Sequence, residues 1–295
     1  MRTMDADSRQ LRKLQLCQLH ILEDIDRICE QEGLTYYLFG GSALGAVRHG
    51  GFIPWDDDLD IAMYREDYDR FQQIMIDKHT DRYFLQSVDT DPQYPRVIEK
   101  VRLKGTVQQE RSFERVDCDN GIYVDVFPID YVKHSGGIGM WLRGKVVRWC
   151  FAYKTITCGS NNGHNMGLKR ALRGVARLVP AKWVERLMRY VCVKDNGKTT
   201  KYSTVFLSGY RWKRQMQNSE TYGSGKRMWF ESGVFWVPAD VDTFLRNVYG
   251  DYMKLPPPEK RVAHKLTRID FGKYDAALEA EVDADEEKKT SCRKP

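Results

Sequence analysis

Residues 37–63 read YLFGGSALGAVRHGGFIPWDDDLDIAM, and this stretch joins a glycine turn to an acidic cluster. The apolar and aromatic residues 34–39 predict a strand, and Gly40-Gly41-Ser42 predicts a tight turn that opens a short helix. Such a turn offers backbone N–H groups to a phosphate, and Ser42 adds a hydroxyl. Arg48, six residues after Ser42, is a candidate for neutralising phosphate charge.

Three aspartates are the candidate catalytic and metal-binding residues. The spacing predicts a strand over residues 58–63, which places Asp58 and Asp60 on one face because alternate strand residues share a face. Asn120-Gly121 predicts a two-residue hairpin turn, followed by a strand over residues 122–127 that Pro128 ends. Asp125 on that strand is the expected third carboxylate. Carboxylates this close repel each other unless a cation lies between them, and Mg²⁺ prefers oxygen ligands.

Each element of this pattern has an ordinary explanation when it stands alone. A D-x-D pair is often a solvated turn or a helix cap, and a GGS sequence is usually a loop. The ordered combination of strand, glycine turn, helix and two acidic strands favours an active site. Two metal ions held by the aspartates could bind both the attacking and the leaving oxygen, so the pattern indicates phosphoryl or nucleotidyl transfer.

The chain has 295 residues, of which 42% are hydrophobic and 30% charged, and a formal net charge of +6. This composition is typical of a folded protein. No stretch is long and apolar enough for a transmembrane helix, and the start lacks the apolar core of a signal peptide. The seven cysteines are scattered without a CxxC pair. We therefore expect reduced thiols and a cytoplasmic protein.

The charge is distributed unevenly along the chain. Residues 133–194 carry 13 Lys or Arg and one acid, a balance of +12, which leaves −6 for the rest. We expect a catalytic core over residues 1–132, beginning with a helix over 8–32, and a basic amphipathic helical insert over 133–200. Residues 201–274 are expected to complete the catalytic domain, and 275–295 to form a polar tail that is partly disordered.

The stretch 37–63 resembles the signature of the LicD family, phosphocholine transferases of bacterial surface glycans that are related to fukutin-type proteins. Two further segments are similar to that family: VDVFPID at 124–130 and YGDYMKLPPPEKR at 249–261, followed by His264. The resemblance implies an α+β fold, with a nucleotidyltransferase-like mixed sheet flanked by helices. Lys265 stands where the family pattern suggests a second histidine, which weakens the assignment of His264.

The resemblance also implies a reaction, in which CDP-choline or a similar CDP-alcohol donates phosphocholine to a sugar hydroxyl and CMP is released. Asp58, Asp60 and Asp125 would hold Mg²⁺, two ions in the simplest arrangement, with Mn²⁺ as an alternative. Gly40, Gly41 and Ser42 would surround the donor phosphates, and Asp125 would help to deprotonate the acceptor. The acceptor would be a cell-surface polysaccharide or a glycolipid such as lipopolysaccharide. The alternatives are nucleotidyl transfer from an NTP and a catalytically inactive binding module.

Further candidate substrate-binding residues are aromatic or basic. A quaternary ammonium cannot donate hydrogen bonds and is usually held over aromatic faces, so Trp55 beside the acidic cluster and Trp229 are candidates for choline recognition. Lys100, Arg261 and His264 are candidates for contacts with the donor. Aromatic residues are more often part of the core, and basic residues on a strand are usually solvated.

The insert mixes tryptophans with basic residues, a pattern typical of helices that lie on an anionic membrane. The chain would then be peripheral on the inner face of the membrane. An ordinary helical insert with a solvated basic face is the main alternative, and a nucleic-acid surface is the weaker one.

Overall fold

The computed structural model describes residues 6–158, 176, 178–261 and 265–291. Their helices are α1 (Ala6–Glu32), α2 (Gly40–His49), α3 (Arg65–Lys78), α4 (Ile138–Cys158), α5 (Ala181–Val193), α6 (Val241–Tyr249) and α7 (Asp275–Ser291). Their strands are β1 (Tyr37–Leu38), β2 (Asp60–Tyr64), β3 (Tyr83–Gln86), β4 (Glu99–Leu103), β5 (Val107–Glu110), β6 (Ile122–Val132), β7 (Tyr202–Thr204), β8 (Gln217–Asn218), β9 (Lys226–Phe230), β10 (Gly233–Val237) and β11 (Leu266–Asp270).

The main sheet is mixed, with the strand order β1-β2-β6-β4-β3. Strands β2 and β6 are parallel, whereas β1 with β2, β4 with β6 and β3 with β4 are antiparallel. The end of β6 also pairs with β7, which pairs with β8. Strands β9 and β10 form a separate hairpin, and β11 pairs with β5. The expected α+β class with a mixed sheet is confirmed.

The core lies between the sheet and the helices packed on it. Val101, Val124 and Val126 on the central strands are fully buried, as are Phe71 on α3 and Ile21 on α1. Burying a side chain of this size contributes about 1.5–3 kcal/mol relative to leaving it exposed. The predicted first helix is confirmed, since α1 spans Ala6–Glu32.

The strand that carries the acidic pair starts later than its spacing predicts. Strand β2 begins at Asp60, so Asp58 precedes it and the two carboxylates do not share a strand face in the expected way. Strand β1 is likewise shorter than the predicted segment 34–39.

Pro128 does not end β6, which continues to Val132. The Asp125 N–H donates to the Leu59 carbonyl on the β2 side, so the missing N–H of Pro128 falls on the opposite side of the strand. Strand β4 pairs on that side only as far as Val126, and β7 begins pairing at Asp130. The proline therefore occupies a gap in the ladder and costs no strand hydrogen bond.

The prediction of a two-residue hairpin at Asn120-Gly121 is wrong. Among the described residues the one non-glycine with positive φ is Glu231, and Gly121 is not among the glycines with positive φ. The antiparallel partner of β6 next to this turn is β4, while β5, the strand that precedes β6 in the chain, pairs with β11. Asn120 and Gly121 therefore lie between β5 and β6, two strands that do not pair with each other.

Residues 275–291 of the polar tail form helix α7. Helix α7 buries Leu278 and Val282 completely. It also forms ion pairs with α1, in which Arg9 contacts Glu279 and Lys13 contacts Asp275. Residues 292–295 lie outside the described residues.

Helices α4 and α5 fall within the predicted basic insert and pack against each other. The Arg143 guanidinium of α4 donates to the Val191 and Cys192 carbonyls of α5, and Lys154 pairs with Glu185. None of the helices in the described part of the chain is long and apolar enough to span a bilayer.

Candidate active site

The glycine turn brings two carboxylates against the first turn of α2. Phe39 is extended and Gly40 has a φ of +54°, a conformation that a residue with a β-carbon rarely adopts. A β-carbon at Gly40 would lie 2.7 Å from Oδ2 of Asp60, and one at Gly41 would lie 2.6 Å from Oδ2 of Asp56. The two glycines are therefore needed to let these carboxylates approach the positive end of the helix dipole.

Ser42 supports the same arrangement from inside the helix. Its hydroxyl accepts a hydrogen bond from the Asp60 N–H at 2.8 Å. The Phe39 N–H donates to the Asp60 carbonyl, so the backbone of Asp60 is fixed on both sides. The structure thus places Ser42 at the site, with its oxygen engaged by the start of β2.

Three glutamine side chains hold the acidic loop before β2. The Gln15 amide of α1 donates to the Asp56 carbonyl, and the Gln18 amide of α1 donates to the Asp57 carbonyl. Gln108 of β5 donates to the same Asp57 carbonyl. All three glutamines are buried, so these hydrogen bonds are shielded from water and fix the loop backbone.

Asp125 faces the acidic loop because β2 and β6 are parallel and in register. Asp60 and Asp125 are Cα partners in that pairing, and Lys100 is the partner of Asp125 on the other side. The Lys100 ammonium lies 2.7 Å from Oδ1 of Asp125 and 3.1 Å from the centroid of the Tyr123 ring. Burial lowers the pKa of Lys100 to about 8, although Asp125 acts in the opposite direction.

The carboxylates around Asp60 act on one another electrostatically. Burial raises the pKa of Asp60 well above its ordinary value, and the charges of Asp58, Asp125 and Asp56 raise it further. Lys100 opposes this increase. Four carboxylates therefore act on one another here, two from the acidic loop and two from strands β2 and β6, and Lys100 is the one lysine that opposes them. This excess of negative charge is costly in a partly buried site.

The donor set of this site fits a hard divalent cation. Carboxylate oxygens of Asp56, Asp57 and Asp58 lie within 4.8 Å of one another, close enough for one ion. Asp60 and Asp125 border the same loop, and the ligands offered are all oxygen atoms. Such a set suits Mg²⁺ or Mn²⁺ and does not suit a soft metal.

Trp55 and Arg261 are brought together at the edge of the acidic loop. The Arg261 guanidinium lies 4.9 Å from the centroid of the Trp55 ring, and its Nε donates to the Pro256 carbonyl. The His49 ring meets Trp55 edge-on at 6.3 Å. The Trp55 face therefore already accepts a cation of the chain itself. His264 lies outside the described residues.

Two predicted site residues lie elsewhere. Arg48 is in the last turn of α2, about 12 Å along the helix axis from the glycine turn, and donates to the Tyr252 carbonyl at 2.7 Å. Trp229 is exposed on the β9–β10 hairpin. That hairpin is attached at the far end of α2, where the Glu231 N–H donates to the Gly50 carbonyl.

Two residues at the site were not among the predicted site residues. Asp56 touches the glycine turn, and only its position within the DDDLD run could have indicated this. Tyr249 at the end of α6 has its hydroxyl 3.8 Å from the β-carbon position of Gly40. Burial raises the pKa of Tyr249 well above its ordinary value, and Tyr210 and Asp60 raise it further. Its place in the segment 249–261 was the available signal.

Comparisons with known proteins cover the part of the chain that contains this site. The family model for the LicD/FKTN/FKRP nucleotidyltransferase domain matches residues 33–156, which include the glycine turn, the acidic loop, Lys100 and Asp125. The chain is 29% identical over 264 residues to lipopolysaccharide cholinephosphotransferase LicD of Haemophilus influenzae. That alignment covers 87% of this chain and 96% of the Haemophilus protein.

Two shorter similarities were also found. Ribitol 5-phosphate transferase FKRP of Homo sapiens is 44% identical over 62 residues, which is 20% of this chain and 12% of that protein. The uncharacterized protein RT0683 of Rickettsia typhi is 39% identical over 74 residues, 24% of each chain.

Residues 33–156, which carry the candidate site, thus match the LicD/FKTN/FKRP nucleotidyltransferase domain. The similarity to the Haemophilus LicD protein extends well beyond the matched domain.

Proposed function

We propose that the chain transfers phosphocholine, or a related phospho-alcohol, from a CDP-activated donor to a sugar hydroxyl of a cell-surface polysaccharide or glycolipid. The observation that carries the proposal is the convergence of Asp56 and Asp60 on the glycine turn of α2, with Asp125 in register beside Asp60. The similarity to a lipopolysaccharide cholinephosphotransferase supports the choline donor, and the similarity to a ribitol 5-phosphate transferase supports related phospho-alcohols.

In the proposed reaction, the acceptor hydroxyl oxygen forms a bond to the phosphorus that carries choline. The bond from that phosphorus to the bridging oxygen breaks, and CMP leaves with this oxygen. The hydroxyl proton passes to a carboxylate of the site. We propose that this carboxylate is Asp125. Gly40 and Gly41 present backbone N–H groups to the donor phosphates at the N-terminus of α2.

Asp58, Asp60 and Asp125 are the proposed Mg²⁺ ligands, and Asp56 joins them because its carboxylate lies at the same turn. When bound, the cation would neutralise charge on the attacking and leaving oxygens. The acidic residues are held ready for this by Gln15 and Gln18, whose amides fix the loop backbone. We also propose that the glycine turn, the acidic loop and strands β2 and β6 together form a nucleotidyltransferase-like active site.

Trp55 is proposed to hold the choline ammonium. Its ring already lies 4.9 Å from the Arg261 guanidinium, so its face is positioned to attract a cation. Arg261 would move from this ring onto the donor diphosphate when the ammonium takes its place. The Arg261 side chain would then recognise the diphosphate of the donor, and the Trp55 ring would recognise its choline.

The experiment that tests the function follows product formation with CDP-choline, and in parallel with NTPs, in the presence of Mg²⁺ and a glycan acceptor. Release of CMP from CDP-choline supports the proposal, and pyrophosphate release from an NTP alone would indicate nucleotidyl transfer. Asp60→Asn should abolish CMP release. The variant should unfold at the same urea concentration as the parent chain or at a higher one, because the substitution removes a charge that neighbouring carboxylates repel. A variant that is fully active would disprove the assignment of Asp60.

A second experiment tests the choline site separately. Trp55→Ala should raise the KM for CDP-choline at least tenfold, since a desolvated cation–π contact contributes about 2 kcal/mol. The KM for a CDP-alcohol without an ammonium group should change much less. Trp229→Ala is the matched control, because Trp229 is exposed on the β9–β10 hairpin. An equal increase in KM for both donors in Trp55→Ala would show that Trp55 does not recognise the ammonium group.

A further inference from the structure

Large apolar side chains are exposed along the helical pair formed by α4 (Ile138–Cys158) and α5 (Ala181–Val193), which we call the basic hairpin. Trp183 is 71% exposed and Trp141 is 55% exposed. Most of the large apolar side chains that are exposed among the described residues lie in or directly before these helices: Ile138, Trp141, Leu142, Trp149, Leu178, Val179, Trp183, Leu187 and Tyr190. A patch of this kind normally marks an interaction site.

The exposed residues follow the helical repeat, so each helix has one apolar outward face. Trp141, Leu142 and Trp149 recur at helical spacing on α4, whereas Val147 and Cys150 on the opposite face are buried. On α5, Trp183, Leu187 and Tyr190 are exposed, and Val184, Met188 and Val191 are buried. The hairpin thus has a packed inner face and a separate outer face.

The exposure is not a consequence of loose packing. Arg143 is buried in the hairpin, pairs with Asp195 and donates to two carbonyls of α5. The Tyr153 hydroxyl donates to the Val179 carbonyl at 2.7 Å. The inner face is therefore fixed by specific contacts, and the outer apolar side chains are held in place.

Basic residues accompany the apolar ones on the exposed surface. Lys145, Arg148, Lys182 and Arg186 are exposed, and the Lys145 ammonium lies 5.3 Å from the Trp141 ring. Helix α4 contains no acidic residue, and the single acid of α5, Glu185, pairs with the buried Lys154. The exposed surface thus combines tryptophan with lysine and arginine, and the charge of Glu185 is neutralised by Lys154. Such a surface complements an anionic lipid surface.

A cleft lies beside helix α4 of the hairpin. Its volume is about 250 Å³, and it is lined by Arg148 and Phe151 of α4 and by Tyr210 and Trp212 of the loop after β7. The Tyr210 ring meets the Tyr249 ring edge-on at 6.1 Å. The hydroxyl of Tyr249 lies 3.8 Å from the β-carbon position of Gly40, so Tyr210 packs between the cleft and the active site.

We propose that the outer face of the basic hairpin docks on an anionic membrane surface. A nucleic acid would match the basic residues but not the aliphatic side chains Ile138, Leu142 and Leu187. A second protein surface would match the aliphatic side chains, but lysine is depleted from the cores of such interfaces. The membrane interface satisfies both groups of residues at once.

The test is co-sedimentation of the full chain with vesicles of phosphatidylcholine alone and of phosphatidylcholine mixed with phosphatidylglycerol. Both vesicles present choline, so only the lipid charge differs. We expect sedimentation with the anionic vesicles and little with the neutral ones. Lys182→Gln/Arg186→Gln should weaken partitioning about 30-fold, since each basic residue near the surface contributes about 1 kcal/mol.

Trp141→Ser/Trp183→Ser should abolish sedimentation, and Trp229→Ser is the matched control because Trp229 is 66% exposed outside the hairpin. All of these side chains are on the surface, so the variants should unfold at the same urea concentration as the parent chain. Indifference to lipid charge, unchanged binding of the tryptophan variant, or no binding to any vesicle would overturn the proposal. No turnover is measured, so the result is independent of the proposed reaction.

Two alternative partners give different results in the same series. If the hairpin face joins two copies of the chain, sedimentation equilibrium shows a dimer that Trp141→Ser/Trp183→Ser disperses, and vesicles do not sediment the protein. If the face binds nucleic acid, the charge variant loses binding to duplex DNA or RNA while vesicles again have no effect. Either result would replace the membrane proposal.

Discussion

Gly41→Ala should separate the chemistry of the site from the stability of the fold. Gly41 is the second residue of α2 and has no positive φ, so alanine fits its backbone without strain. The added β-carbon would lie 2.6 Å from Oδ2 of Asp56. Ordinary contact begins at 3.4 Å, so the carboxylate must retreat by about 3.4 − 2.6 = 0.8 Å. The carboxylate is the flexible end of its side chain, and the helix itself need not move.

The expected effects on stability and activity have opposite signs. Alanine is favoured over glycine in a helix by up to about 1 kcal/mol, so the free energy of unfolding should stay equal or rise slightly. A displacement close to 1 Å at a catalytic site can reduce the rate by about 100-fold. We therefore expect CMP release to fall by about 10- to 100-fold, mainly in kcat, because the displaced group acts on the reacting phosphate.

The measurement combines CMP release from CDP-choline with urea unfolding of the same preparation. Gly139→Ala is the matched control, since Gly139 is also the second residue of its helix, α4, and a β-carbon there meets no atom within 4 Å. It should show the same small change in stability with unchanged CMP release. A Gly41→Ala enzyme that is stable and fully active would refute the reasoning, because Asp56 would then not be needed at the glycine turn.

Three further predictions concern buried and surface charges. Lys100→Met leaves the buried Asp125 without its counter-charge and should lower the free energy of unfolding by about 3–5 kcal/mol in EDTA. Mg²⁺ should restore more stability to this variant than to the parent chain in urea unfolding, and no Mg²⁺ effect on either would contradict a cation at the site. Burial raises the pKa of Glu99 from 4.5 to about 8, so the unfolded state loses its proton first as the pH rises. Stability should fall by about 1.4 kcal/mol per pH unit between those values, and Glu99→Gln should remove this slope from urea titrations. The hydrogen bonds from Lys13 and Arg9 lower the pKa of Glu279 from 4.5 to about 2. The contribution of these contacts is present above pH 4.5 and lost as the pH falls towards 2, so the amide protection factors of α7, corrected for the intrinsic exchange rate at each pH, should fall in that range before those of the sheet do.

The glycine turn could be predicted from sequence because its requirements are local. The positive φ at Gly40 and the missing β-carbon at Gly41 are properties that glycine itself supplies, so the GGS sequence was a sufficient signal for the turn. The first helix was predictable for the same reason, since its apolar repeat is long. The placement of Asp125 depended on a parallel pairing between distant strands, and alternation of Val124 and Val126 around it was the signal for its face.

The errors arose where distant parts of the chain decide the local structure. Asp58 lies outside β2 because Gln18 and Gln108, from other elements, hold the preceding loop in place of a strand ladder. Pro128 is tolerated because β4 and β7 leave a gap opposite it. Composition and spacing within a segment contain none of this information.

The parallel pair β2–β6 explains why core and site are specified together. Parallel neighbours require a crossover, and here residues 65–121 separate the two strands in sequence. A slip of one residue in β6 would turn Asp125 away from Asp60 and bring Val124 or Val126 to the acidic face. The two valines are fully buried, so such a slip exposes apolar surface to the charged site and places a carboxylate in the core. The register that buries the valines is therefore the register that assembles the carboxylates, and selection for a stable sheet maintains the geometry of the site.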